Sequence, residues 1–161
     1  MRNGTLQNLT WLNTKTSVFS EMIITSDNDW IILNVNASGY FRVIYDQANI
    51  ERLQRQLMKD PNKIPVCNRA QIIGDAFQLM VTGLLDAGTA LSTTAYLSGE
   101  KEFVVWSKAI EVLNDYVEPI LPSDMYGLYK QYILKTFTPI FNYQMDLIGG
   151  DLLTVHSEIL Q

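Results

Sequence analysis

The chain has little of what chemistry at a metal or on a nucleic acid requires. Its 161 residues include one histidine and one cysteine, and 12 Lys and Arg stand against 17 Asp and Glu, for a net charge of -5. One cysteine, Cys67, excludes an internal disulfide framework. Basic residues that are few and unclustered exclude the phosphate-binding surface of a nucleic-acid partner. No apolar run approaches the ~18 to 20 residues that span a bilayer, and Met1-Arg-Asn-Gly-Thr does not begin a signal peptide. The phosphate-binding Gly-x-x-x-x-Gly-Lys and Gly-x-Gly-x-x-Gly loops are both missing.

What is present is enough for a core. Hydrophobic residues make up 47% of the chain and charged residues 18%, the balance of a globular protein. Two β-rich runs, Trp30 to Val35 and Tyr40 to Tyr45, flank Asn36-Ala-Ser-Gly39, and the pattern predicts a β-hairpin over 30–45 with Gly39 at positive φ. Period-2 alternation puts Ile31, Leu33 and Val35 on one face, with Phe41, Val43 and Tyr45 as their counterparts. The other face carries Trp30, Ile32, Tyr40 and Ile44, so it is not freely solvated. Arg42 inside the second run must be paired or reach solvent, and a structural ion pair is expected.

The segment from Trp30 to Pro139 resembles the zinc aminopeptidases of the aminopeptidase N type, gluzincin metallopeptidases. The resemblance rests on Trp30-Ile-Ile-Leu-Asn34, Gly39-Tyr-Phe-Arg-Val-Ile-Tyr-Asp46, Asn68-Arg-Ala-Gln-Ile-Ile-Gly-Asp-Ala-Phe77, Ala90-Leu, Tyr96-Leu and Glu100-Lys-Glu-Phe-Val-Val-Trp106. It implies an α+β chain in which an N-terminal antiparallel β-sandwich portion, residues 1–46, precedes residues 47–161, the first helices of an all-α C-terminal domain in a solenoid-like array. It further implies a catalytic domain upstream, zinc in the parent enzyme, release of N-terminal amino acids from peptides, and dimerisation in some members. Such parents are often type II membrane proteins with an extracellular or luminal ectodomain. The tail from Asn142 departs from the family.

In chain order, Asn3 to Ile24 reads as two short strands around a polar loop. A sheet cut at that point would expose an unpaired edge. Asp46 is the expected N-cap of a helix to Lys59, with Ile50, Leu53 and Leu57 on its buried stripe. A second helix is expected over 68–81, with Ile72, Ile73, Ala76, Phe77 and Met80 inward and close packing at Gly74. A third follows over 88–97. The fourth, over 102–117, is expected to bury Phe103, Trp106, Ile110, Leu113 and Val117, and the fifth runs from Ser123 to Phe137 with an aromatic stripe at Tyr126, Tyr129, Tyr132 and Phe137. Gly149-Gly150 breaks the tail, where Asp151 is a cap for a last short helix.

No catalytic or zinc-binding residue of the family can be carried onto this chain. His-Glu-x-x-His and Gly-x-Met-Glu-Asn are both absent, and His156 alone cannot build a gluzincin site. Cys67 with His156 as a thiol-imidazole pair, and the carboxylate pairs Asp27 with Asp29 and Glu100 with Glu102, read better as a buried inert thiol and as solvated or capping acids. Asn3, Asn8 and Asn36 each open an Asn-x-Ser/Thr sequon, with Asn36 best placed to project a glycan. The expectation is a non-catalytic piece of a zinc metalloaminopeptidase that supports the catalytic domain and helps enclose the peptide chamber. The alternative is a stand-alone binding module that pairs through an open sheet edge with the full-length enzyme and modulates it.

Overall fold

A computed structural model describes residues 1–7 and 12–147. Among these residues the regular structure is helical. The α-helices are α1 (Gln47–Lys59), α2 (Val66–Val81), α3 (Ala87–Ser92), α4 (Phe103–Val112) and α5 (Tyr126–Leu147). Short 3-10 turns connect them, and a π turn, Leu113–Val117, extends α4.

The expected α+β fold is corrected at its first half. No strand or sheet occurs among the described residues, only isolated bridges from Arg2 to Thr5 and to Ile31. The hairpin over 30–45 does not form because polar side chains take its backbone groups. Asn34 turns left-handed (φ 50°), and a 3-10 turn, Val35–Ala37, follows it, with Asn36 and Ala37 also at positive φ. The Asn34 carboxamide accepts from Gly39 N at 2.7 Å and donates to Gly39 O at 2.9 Å and to Phe41 O at 3.2 Å. Asn49 holds both backbone groups of Ile31, and Asp75 takes the Val43 amide. The backbone groups of Trp30 and Ile32 that remain are taken by Met1 and Asn3, which leaves 30–35 no ladder to offer 40–45. Gly39 does not take the positive φ expected of it, and a Cβ there would lie 2.3 Å from the exposed Phe41 ring, which would have to turn aside.

The inward face of 30–35 is also the reverse of one half of the expected pattern. Trp30 and Ile32 are buried and Leu33 is exposed, whereas Val43 is buried as expected and Tyr45 packs against the core. Without a pleated partner, the helices beneath decide which side chains turn inward.

The helices follow the sequence more closely. Asp46 caps α1, accepting from Asn49 N at 2.7 Å, and Ile50, Leu53 and Leu57 are buried. Ile73, Ala76 and Phe77 of α2 join one core with Trp30, Ile32, Leu97, Val105, Val112 and Leu113. α2 packs most extensively on α4. Gly74 admits the Lys108 side chain of α4, whose Cδ would lie 3.2 Å from an added Cβ. In α4 the buried residues are Val105, Trp106, Ala109 and Val112, while Phe103 and Ile110 face outward. α5 runs past Pro139 to Leu147, beyond the expected end at Phe137. The step past proline falls at exposed Leu134, Lys135 and Thr138, with Thr138 Oγ1 donating to Leu134 O at 2.6 Å, while Phe137 and Ile140 hold the helix on the core.

Candidate functional site

The residues that carry the family resemblance converge on α2, where each buried polar side chain holds a different part of the chain. Asn68 donates to Asn34 O at 2.9 Å and accepts from Asn36 N at 2.7 Å, fixing the 34–36 turn on the first turn of α2. Arg69, one residue on, places Nε 3.1 Å from Glu100 Oε2, with the two side chains 2% and 3% exposed. Its guanidinium also donates to Asn62 Oδ1 at 3.3 Å, tying down the 3-10 turn Pro61–Lys63. Asp75 accepts from Val43 N at 3.0 Å and pairs with Arg42 at 3.3 Å. Arg42 therefore makes the structural ion pair expected of it.

Glu100 is the second centre. Its other oxygen accepts from the amides of Lys101 at 2.9 Å and Glu102 at 3.0 Å, and its carbonyl accepts from Trp106 Nε1 at 2.9 Å. Carboxylate and turn together set the entry to α4. Tyr96 lies beside this carboxylate. Burial, and then the Glu100 charge, push its phenol above the ordinary value. A buried acid held by one guanidinium and two amides is a fixed ion pair, and its removal in part is costly.

The paired carboxylates named from sequence do not form acid-base pairs. Asp29 accepts from Arg2, Asn3, Thr25 and Ser26, and these donors, Thr25 foremost, hold it well below the usual carboxylate range. Asp27 is exposed, 3.9 Å from Arg52. Glu100 is buried rather than solvated, because Arg69 on α2 supplies a charge no local pattern reveals. Glu102 remains exposed. Cys67 is exposed on the first turn of α2 rather than buried as expected, at an open cleft of about 370 Å³ shared with Arg42, Asp75, Lys108 and Tyr116. The charges there are already matched, Arg42 with Asp75 and Lys108 with Glu111 at 2.6 Å. His156, Asp151 and Asn8 lie outside the described residues.

These donors do not suit zinc. Among the described residues no three His, Cys, Asp or Glu side chains group to hold a metal, and the buried acids are spent on arginines and amides. No helix among them is long and apolar enough to cross a membrane. The sequence signal for Arg69 and Glu100 was available in the quoted motifs. Their pairing was not, since 31 residues separate them.

Fold and polar interlock define a helical packing domain, one whose signature residues serve its own assembly. Residues 30–151 match the family model described as ERAP1-like C-terminal domain, and the chain belongs to that family. Aminopeptidase Q of Homo sapiens is 40% identical over 163 residues, covering 99% of this chain and 16% of the relative. Aminopeptidase N of Rattus norvegicus is 41% identical over 133 residues, 83% of this chain and 14% of the relative, and Aminopeptidase N of Homo sapiens is 38% identical over 141 residues, 88% and 14%. The chain spans less than a fifth of the length of these relatives.

Proposed function

We propose that this chain is a non-catalytic structural part of a zinc metalloaminopeptidase. Residues 47–161 supply the first helices of its helical C-terminal domain, residues 30–46 pack on their core and fall within the same family match, and the residues before 30 are the end of the domain before it. The observation that carries this reading is where the family's signature residues go. Asn68, Arg69, Asp75 and Glu100 bind one another, the backbone and neighbouring turns, leaving none of them free for a substrate.

In the parent enzyme this packing supports the catalytic domain and helps enclose the chamber in which N-terminal amino acids are released from peptides. Zinc would be held by that upstream domain, where it would supply an acidified water for peptide hydrolysis. The catalytic domain is the partner of this chain, peptides are the substrate of the whole, and a homodimer is an assembly open to it.

Exchange of the matching segment of rat Aminopeptidase N for this chain tests the proposal. The chimera is expected to fold and to release amino acids from aminoacyl anilides, whereas the 161-residue chain alone is expected to release none. Hydrolysis by the chain alone, or a chimera that folds yet has lost all activity, would overturn the reading. The alternative of a module pairing through an open sheet edge loses its physical basis, because the described residues contain no sheet.

A further inference from the structure

α5 carries two apolar stripes, and the core uses one. Tyr129, Tyr132, Ile133, Phe137 and Ile140 pack against the core. On the side turned away from it, Leu134, Thr138, Phe141 and Met145 follow one another at steps of three and four, a continuous stripe down the helix. Leu134 is 57% and Phe141 59% exposed, Thr138 is exposed and Met145 half-buried. Among the described residues nothing covers this stripe. Exposed Lys130 and Lys135 flank it, one on each side.

The chain itself supplies a matching face. In 151–161, which lies outside the described residues, Leu152, Leu153, Val155, Ile159 and Leu160 share one side of a helical wheel. Ser157, Glu158 and Gln161 take the other, behind Asp151 as N-cap. Only Ile148-Gly149-Gly150 separates this segment from the end of α5 at Leu147. A link of that length joins two helices as an antiparallel hairpin, and its glycines permit the sharp reversal. Counted back along α5, Leu153 then stands beside Met145, and Leu160 beside Thr138, nearest Leu134. The lengths agree: a helix rises roughly 12 Å from Leu152 to Leu160, and the stripe runs roughly 16 Å from Leu134 to Met145. Charge agrees too. Glu158 and the carbonyl end of the segment come toward Lys135 and Lys130, the favourable sense for a helix C-terminus.

We propose that the outer face of α5 is the docking site for the chain's own segment 151–161, which folds back on it as an antiparallel amphipathic helix. Docking takes Phe141 and Met145 out of water and leaves Ser157, Glu158 and Gln161 facing it. A tethered segment suits this face better than a second copy does. One stripe on one helix presents far less than the ~1,000 Å² that a stable interface between separate chains needs, and a short link makes the second contact intramolecular.

Hydrogen exchange on the full chain, followed by mass spectrometry, is the test. The amides of 152–161 are expected to exchange roughly tenfold or more slowly than in the free peptide 151–161. Phe141→Glu, at an exposed position, is expected to abolish that protection while α2 keeps its own. Ile159→Asp should do the same from the other side of the contact, and light scattering should show a monomer throughout. Free-peptide rates in the unsubstituted tail overturn the proposal. So does protection that survives both substitutions, since the segment would then be held elsewhere. Protection that rises with protein concentration alongside a dimer gives the face to a second copy and overturns it as well.

Discussion

α2 and α5 show two ways of holding a helix. α2 has 16 residues, seven of them buried, and three of those seven are the charged or amide side chains Asn68, Arg69 and Asp75. α5 has 22 residues, of which only Thr136 is fully buried. α2 is fixed by polar groups that have no other partner within reach once water is gone. α5 is fixed by a few aromatic contacts along one edge: Phe137 meets Trp106 edge-on with ring centroids 4.8 Å apart, Tyr132 hydrogen-bonds Thr94 at 2.5 Å, and Tyr143 lies under the Lys101 ammonium at 4.3 Å. The difference separates global from local stability. Loss of one partner at α2 leaves a buried charge, while loss of one contact at α5 frees a helix that water can accept.

The sharpest way to break the comparison is Arg69→Met. With Glu100 left buried and unpaired, a loss of about 3–5 kcal/mol is expected in urea unfolding, and Arg69→Met with Glu100→Leu is expected to recover most of it. A double variant no more stable than the single one would remove the ion pair as the cause. Next comes Phe137→Ala, expected to cost about 2 kcal/mol, below the usual range for a fully buried phenylalanine because its ring is only half-buried. Hydrogen exchange should quicken along α5 and leave α2 protected. Uniform quickening in both would show that α5 is no separate unit.

Asp75→Asn removes the charge under Arg42 and weakens the acceptor for Val43 N, for a smaller loss of about 1–2 kcal/mol. An unchanged midpoint would count against Asp75 as an anchor. Asp46→Ala, at the N-cap of α1, is expected to cost about 1 kcal/mol, read from the same transitions.

The last effect is one of pH, and it is nil at neutral pH. Burial pushes the Tyr45 phenol from 10.0 up to about 12. A raised folded value means that the unfolded chain loses its proton first. Stability from this group is therefore intact below about pH 10 and falls as pH rises from there toward about 12. Tyr96, also raised, acts in the same direction. Tyr45→Phe should flatten the alkaline decline, and an unchanged slope would show that Tyr45 does not contribute to it.

The helices were legible because their evidence is local. Asp46 before an apolar stripe, Pro61 after it, and the spacing of Ile73, Ala76 and Phe77 fix α1 and much of α2 within a few turns of chain. The zinc-aminopeptidase kinship was legible for a different reason, since motifs are strings. Less legible was which side of α4 faces inward, where Val105 and Ala109 are buried and Phe103 is exposed. Size and apolarity favour Phe103, but it is the first residue of α4 and stays exposed.

The sequence by itself determined the order of the helices, the Asp46 cap of α1, the absence of a gluzincin motif and the family. Tertiary structure decided that the β-rich runs at 30–35 and 40–45 do not pair with each other, the first instead meeting residues 1–3 through the Arg2–Ile31 bridge. Their backbone groups are claimed by Asn34, Asn49 and Asp75, side chains up to 32 residues away. It also decided that Glu100 is a buried partner of Arg69 rather than a solvated acid. A helix satisfies its hydrogen bonds within one turn, so its pattern is written in adjacent residues. A strand or a buried charge needs a partner that only the fold brings near.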